Sequence, residues 1–481
     1  MAQQNDPSKR SFRVVVVGAG IVGLSLSHAL QLANIDHVVL EKHSKIVSLH
    51  GAALMIYPGV ARIFDQMGIL KKIQDTMTPV QREFHRWEDG SVLKRQENIR
   101  KTSEKFDMPV ILFDRQKCVT HLYENLPDQS MIRTSARVER IEQDDNGVKV
   151  WLTDGTFEEG DMVIGADGVH SLVRDLMWDY AEKTDPGSIP ESDKKSLFTQ
   201  YKGMFGVSEQ DGLTDFGPSD VNILGGYDVT KLLFTQPGIV YWAIIYKDEY
   251  SQPPKAFKPG EKEHEETAQR FKDIKFTENT SFEDIWKRKT RSGLVNIEEG
   301  ILDKWHAGRI VLVGDSAHKM TADIGIGANM AIESAVVLCN TLQASLSTHP
   351  PNYHPSTAEL STLFQTYQDK RYERAKLFMT LSGGVTRMRS YQSMWKKFFI
   401  TRIASLPFMQ KMQGEKMMAG FAKGPKLEYV KTRTINENAE GWKMGQDQGN
   451  GMGWMAYAVL TSAVGVGLSY AAVLKWGLPA L

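Results

Sequence analysis

Hydrophobic positions along this chain change their period several times, and each change marks an element. Phe12 to Val17 is a short β-branched run, GAGIVGLSLSHALQLANI shifts to helical spacing, and HVVLE returns to an apolar run. The start of the chain therefore reads strand, helix, strand. EFHRWEDGSVLKR and VKVWLTDGTFEEGDMVIGADG each set an Asp-Gly turn, at Asp89-Gly90 and Asp154-Gly155, between alternating segments, which predicts hairpins. From Ser196 to Tyr250 the pattern is strand-rich, with GIVYWAIIYK the clearest strand, and EKEHEETAQRFKDI predicts a helix with a solvated, charged face. After Gly308 an apolar strand, IVLVG, runs into VGDSAHKMTADIGIGANMAIESA and a helix toward Leu346, and methionine-rich helical segments follow. Trp454 to Leu474 is an uncharged run of about 20 residues, enough to cross a bilayer as a helix.

Composition acts mainly by exclusion. The chain has 481 residues, with 58 lysines and arginines against 58 aspartates and glutamates. It is long enough for two or three domains, and its zero net charge offers nothing to attract a nucleic acid. Cys118 and Cys339 lie far apart, so neither a disulfide framework nor a Cys-x-x-Cys site is present. Ser316 and His318 sit in Gly-Asp-Ser-Ala-His rather than in a hydrolase elbow, and no His-Glu-x-x-His pattern occurs, so no metal site is expected. Lys9-Arg10 before the first apolar run superficially resembles a secretory signal, but the glycine spacing that follows fits a phosphate-binding turn better.

That turn is Gly18-Ala-Gly20-Ile-Val-Gly23, placed between strand and helix. The first glycine permits the tight turn, the second lets backbone approach a pyrophosphate, and the third lets helix and strand pack closely. The helix start offers N–H groups to the anion. Glu41 ends the second strand, where a carboxylate can accept from ribose hydroxyls and would repel a 2′-phosphate. The motif by itself does not separate NAD from FAD.

Two later stretches, VIGADGVHSLVR (Asp167-Gly168) and VGDSAH (Gly314-Asp315), complete a trio that resembles the single-component flavin-dependent monooxygenases of the aromatic hydroxylase type. Within them the pattern looks most like fungal epoxidases of meroterpenoid and indole-diterpene biosynthesis. The resemblance implies an α/β fold: a discontinuous Rossmann-like FAD-binding domain, a β-rich substrate domain, a C-terminal helical region and a transmembrane helix. Residues 1–85, 111–190 and 301–350 are expected to build the FAD-binding domain, with 86–110 a substrate-domain hairpin and 191–300 mainly substrate domain. Residues 351–445 form the helical region and 454–474 the membrane span.

By the same resemblance Gly18, Gly20, Gly23, Glu41, Met55, Arg115, Asp167, Asp315, Gly327 and Ala328 bind FAD. NAD(P)H visits as a transient co-substrate, and one atom of O2 goes to a hydrophobic substrate, an olefin on a prenyl chain. Asp315, at a strand end, can take ribityl hydroxyls, and the helix starting near Gly327-Ala328 can aim N–H groups at the flavin. Asp167 reads equally as a turn-capping aspartate. Tyr227, on a predicted substrate-domain strand, is the candidate for a hydroxyl that orients substrate or donates a proton, against the plainer reading of a sheet tyrosine. Relatives often carry proline where Ala322 stands and glutamine where Ile326 stands.

An aromatic-ring hydroxylase of the same fold and a non-catalytic flavin-fold carrier of prenylated proteins are the alternatives. Lys423, Lys426, Lys431, Arg433 and Lys443 ahead of the apolar run favour a cytosolic catalytic domain on a single-pass C-terminal anchor, for instance in the endoplasmic reticulum membrane. The basic, aromatic stretch Met394 to Phe421 would rest on that surface.

Overall fold

The first strand, Arg13–Val17, carries four consecutive valines that are all buried, and a run apolar on both faces belongs in the middle of a covered parallel sheet. The structure, a computed structural model, describes residues 11–46 and 53–445 and places that strand accordingly. Its parallel neighbours are Asp36–Leu40 on one side and Met162–Gly165 on the other. Ile310–Leu312 then pairs in parallel with Met162–Gly165, followed by His306–Ala307 at one edge, while Ile132–Arg133 closes the other. One six-stranded sheet thus gathers segments from the beginning, middle and late part of the chain. The helix Ile21–Leu32 crosses from the first strand to the second, and the helix Gly327–Leu346 lies against it.

A second, eight-stranded sheet holds Phe198–Glu209, Asp220–Gly226, Val229–Gln236, Ile239–Ser251 and Lys289–Ile301, joined at one edge by the hairpin Arg82–Arg86 and Val92–Gln96 and at the other by His318–Lys319. The turn of that hairpin is the Asp89-Gly90 pair, and Asp154-Gly155 joins Gly147–Leu152 to Phe157–Gly160 in a separate three-stranded sheet. Side chains in the large sheet alternate between its faces, apart from register shifts at Thr199–Tyr201, Val207–Ser208 and His85–Arg86. Met204, Leu224, Leu233, Trp242, Ile244 and Leu294 form the outer face and pack on Phe271, Phe282 and Trp286 of the short helices Glu261–Phe271 and Phe282–Trp286. Tyr201, Ile223, Leu232, Phe234, Ala243, Ile245 and Ile297 form the inner face, turned toward the nucleotide-type domain. Arg291, on the strand Lys289–Ile301, pairs with Asp114, at the end of the strand Ile111–Asp114, and donates to Gln116 at 2.8 Å, which ties the large sheet to that domain.

Among the described residues no helix is long and apolar enough to cross a membrane. The 20-residue helix Gly327–Leu346 interrupts its apolar run with Asn329, Glu333 and Asn340, each hydrogen-bonded inside the fold. The 33-residue helix Thr357–Arg389 is charged along its length. This corrects the expected membrane-spanning architecture and membrane localisation. The stretch Trp454–Leu474 on which they rested lies outside the described residues.

The helical region is fastened by one buried carboxylate. Glu333, 2% exposed, accepts from Arg371 at 2.9 Å and from Arg374 at 2.7 and 2.8 Å. Burial pushes its pKa up, but Arg374 and Arg371 outweigh burial and hold it below the ordinary glutamate range. A depressed folded-state pKa gives stability that is present above the unfolded value and lost as pH falls through the folded one. Glu333→Gln leaves Arg371, 1% exposed, without its counter-charge, so the variant should be less stable by about 3–5 kcal/mol in denaturant titrations at neutral pH. Its loss of stability on acidification below the glutamate range should also be shallower than that of the parent chain.

Candidate cofactor and active site

The three glycines of the first turn divide their work visibly. Gly18 has φ +102°, and a Cβ there would lie 2.7 Å from the Ala166 carbonyl oxygen. A Cβ on Gly23 would lie 1.8 Å from the Gly18 carbonyl oxygen, so helix and turn are in direct backbone contact. A Cβ on Gly20 would meet nothing within 4 Å. The space beside Gly20 is thus open where those beside Gly18 and Gly23 are filled, and the helix that follows has no side-chain cap on its first N–H groups. An uncapped helix start beside open space is a seat for a phosphate. Glu41 accepts from the Ala19 N–H and the His43 N–H, both at 2.9 Å, which ties the end of the second strand to the turn. A carboxylate has about four acceptor positions, so two remain for ribose hydroxyls.

The Gly314-Asp315 turn closes on the same place from another direction. Val313 N–H and the Ser316 hydroxyl both donate to the Gly165 carbonyl, at 3.0 and 2.7 Å. Gly314, at φ +72°, would set a Cβ 3.0 Å from Ala331 and 3.2 Å from Val22, so it sits between the helices Ile21–Leu32 and Gly327–Leu346. Asp315 is partly exposed and pairs with Lys319, four residues on. Lys319 was not singled out from sequence. It lies in the electrostatic reach of Arg115 and of Glu298, whose carboxyl burial pushes up and which pairs with His170 at 3.5 Å. Arg115 opens the helix Arg115–Glu124, whose N-cap Asp114 accepts from Gln116 N–H at 2.7 Å.

Asp167 braces the start of the helix Leu172–Thr184, whose N-cap residue is Ser171. Its carboxylate oxygens accept from the Ser171 hydroxyl at 2.5 Å and from Val173 N–H at 3.1 Å. Burial raises its pKa against those bonds. His318 bonds to the Ser334 hydroxyl at 2.9 Å, and burial pushes it down to about 3, so it stays neutral and structural.

At the far end, Gly325 takes φ +62° beneath Met55, whose Cβ would be 3.0 Å from an added Cβ. Asn329 then fixes the loop. Its Nδ2 donates to the carbonyls of Met55 at 2.8 Å and Gly325 at 3.0 Å, and its Oδ1 accepts from Tyr57 N–H at 3.0 Å. The spacing Gly-x-Gly-x-Asn carries that signal in the sequence, but the asparagine reads there as an ordinary helix residue. A Cβ on Gly327 would meet nothing within 4 Å, and the helix Gly327–Leu346 also starts without a side-chain cap. Two uncapped helix starts, each beside a glycine facing open space, with Glu41 and Asp315 as acceptors, fit the pyrophosphate, the sugar chains and the ring of a flavin dinucleotide. Gly18, Gly20, Gly23, Glu41, Met55, Asp315, Gly327 and Ala328 are therefore brought together, with Arg115 near Lys319.

Tyr227 is not among them. It lies in the turn between Asp220–Gly226 and Val229–Gln236 rather than on a strand, is 50% exposed, and contacts Tyr391 at 5.9 Å and Lys397 at 4.7 Å. A hairpin tip of that exposure suits neither substrate orientation nor proton donation in a water-excluded site. On the inner face of the large sheet Phe205, Ile223, Phe234, Ala243 and Ile297 are incompletely buried and Val295 is 37% exposed. Among the described residues no group of acids, histidines and cysteines could hold a metal ion.

Comparison with known proteins places these motifs in context. The chain matches the family described as FAD binding domain over residues 11–184 and 240–382. It is 36% identical over 377 residues to the FAD-dependent monooxygenase ausM of Penicillium brasilianum, covering 78% of this chain and 79% of that one. It is 32% identical over 459 residues to the FAD-dependent monooxygenase andE of Emericella variicolor, covering 94% and 95%. In fold it is similar to Klebsiella pneumoniae HpxO solved with FAD and uric acid, with a TM-score of 0.65 at 20% identity, over 86% of this chain and 97% of that one.

The glycine geometry separates folding from cofactor binding. Gly20→Val adds a side chain where no protein atom stands, so the apoprotein should melt as the parent does while FAD binds at least about tenfold more weakly. Gly23→Ala forces backbone apart and should cost ~3 kcal/mol of stability whether or not FAD is present. Flavin absorbance after desalting, set against apoprotein melting, distinguishes the two.

Proposed function

The chain belongs to the FAD binding domain family and is an FAD-dependent monooxygenase, and from that premise we propose that it epoxidises a prenyl olefin of a fungal meroterpenoid or related terpenoid in secondary-metabolite biosynthesis, using NAD(P)H. The observation that carries this reading is the inner face of the large sheet. Phe205, Ile223, Phe234, Ala243, Val295 and Ile297 keep apolar surface accessible beside the loop that leads to Gly327, and Met55 continues that surface from the other side. Accessible apolar side chains facing a cofactor site are what a hydrocarbon chain would cover.

Oxygen transfer to an alkene asks little of side-chain acids and bases. The chain's work is to hold the cofactor, exclude water and present the double bond. Gly20 and the start of Ile21–Leu32 would hold the pyrophosphate, Glu41 a ribose and Asp315 the ribityl chain. The N–H groups at Gly327 and Ala328 would face the ring and favour negative charge there. FAD, when bound, supplies hydride acceptance from NAD(P)H and the activation of O2. The relatives, FAD-dependent monooxygenases from Penicillium and Emericella, support the setting.

The test uses purified holoprotein with NADPH, isotopically labelled dioxygen and a farnesylated phenol. Expected is one labelled oxygen on a prenyl double bond, recovered as epoxide or derived diol, in step with NADPH consumption. Label on the aromatic ring would replace this reading with ring hydroxylation, and a purified protein without a flavin spectrum would support the non-catalytic carrier instead.

A further inference from the structure

The inner face of the large sheet is apolar at its centre and changes character at one end. In the register of the edge hairpin, Glu83 lies opposite Val221 and Gln96, and His85 opposite Ile223 and Lys94. Directly paired residues share a face, so Glu83, His85 and Lys94 prolong the surface that carries Val221 and Ile223. Lys94 reaches the Ser405 hydroxyl at 3.3 Å, and Glu83 accepts from Ile99 N–H at 3.3 Å.

Arg389, the last residue of the helix Thr357–Arg389, reaches the same end. Other arginines of that helix meet carboxylates: Arg371 and Arg374 share Glu333, and Arg387 grips Glu299 at 2.6 and 3.0 Å. Arg389 differs. Its hydrogen bond among the described residues runs from Nη1 to the Asp323 carbonyl at 2.7 Å, with no carboxylate at ion-pair distance. Nε and Nη2 are not sealed off, since the side chain is only partly buried. Asp323, Tyr57 and Glu83 act on it electrostatically, and Lys94 and His85 feel its charge.

The Asp323 carboxyl acts on Arg389 through space and not as an ion pair. Burial raises its pKa, and its Oδ2 already accepts from the Thr386 hydroxyl at 2.6 Å. Burial likewise pushes Lys94 down to about 8, with Arg389 adding to the effect. A partly buried guanidinium without an ion-pair partner keeps N–H donors that a ligand oxygen can complete. Arg389 and Lys94 thus place two cationic groups, with Glu83 and Asp323 in electrostatic reach, at the end of an apolar surface and beside the loop that leads to Gly327.

We propose that Arg389, with Lys94 beside it, receives the polar end of the substrate, an acidic hydroxyl of phenol or enol type, while the apolar chain lies along Ile223, Phe234 and Ala243. This rests on the apolar-substrate reading above. Arg389 is then a specificity-determining residue, whose open N–H groups donate to the oxygen and set how far along the sheet the chain extends.

The experiment is equilibrium dialysis of the holoprotein with two probes, a farnesylated phenol and its methyl ether, for the parent chain, R389M, R389K and K94M. The parent should bind the phenol about tenfold more tightly than the ether, the scale of one charge-assisted hydrogen bond. R389M should bring the two affinities within about twofold while leaving the ether's unchanged, with R389K keeping part of the preference and K94M narrowing it. Flavin content and melting temperature report folding; if R389M does not fold, R389K and K94M carry the comparison. Unaltered preference in the folded variants, or no preference in the parent, overturns the assignment of Arg389 and leaves the apolar-substrate reading standing. Binding of neither probe by the parent overturns that reading, and this one with it.

Discussion

The Gly165 carbonyl accepts from both Val313 N–H and the Ser316 hydroxyl, and the second of these bonds joins residues 151 positions apart. Around it the three turns of the cofactor site converge. Ala166 presses on Gly18, Gly314 is wedged between Val22 and Ala331, and Gly23 lies against the Gly18 carbonyl. A dinucleotide carrying a flavin is longer than one strand-turn-helix unit can grip, so acceptors and helix starts must come from several segments. The parallel pairing of Arg13–Val17, Met162–Gly165 and Ile310–Leu312 brings them into register. Displacing any of the three strands would separate Glu41 from Asp315.

The charged interior serves the same discontinuity. Segments that return late in the chain cannot rely on local contacts, and the structure ties them with ion pairs whose partners are distant in sequence. Arg291 with Asp114 joins the substrate sheet to the nucleotide domain, Arg387 with Glu299 joins it to the long helix, and Glu333 gathers Arg371 and Arg374. Each carboxylate here is 5% exposed or less. Pairs of this kind add little net stability over an apolar contact, but removing one partner is expensive, which makes the docking of each element specific.

Sequence reasoning reached the turns because their chemistry is local. Gly18, Gly20 and Gly23 follow each other between strand and helix, and each role is a backbone property that only glycine satisfies. Glu41 was legible as an acceptor, although its bonds to Ala19 and His43 depend on the folded turn. Lys319 and Asn329 were not legible, because the first pairs with Asp315 across an irregular loop and the second bridges to Met55, 274 positions away. Tyr227 looked like a strand residue because Gly225-Gly226 and Val229 flank it, yet the pairing of Gly226 with Val229 makes it a hairpin tip. Which face of the large sheet is apolar and accessible depends on pairing register, and alternation within single strands does not reveal it.

The loop between Asp315 and Gly327 draws its order from the long helix Thr357–Arg389. Ala322, unlike a proline, leaves the unfolded loop more conformations to lose. Order is supplied from the long helix instead. The Thr321 and Ser382 hydroxyls meet at 2.6 Å, Thr386 donates to Asp323 at 2.6 Å, and Arg389 donates to the Asp323 carbonyl at 2.7 Å. Tyr57, stacked on Phe421 with ring centroids 4.2 Å apart, donates to the Ile324 carbonyl at 2.9 Å. Ile326, 1% exposed, fills core, while the polar contacts of Thr321 and Asp323 run to the helix Thr357–Arg389. The loop beside the flavin is thereby held by the same helix that carries Arg389. A change in how that helix packs would move the cofactor face and the polar end of the apolar surface together.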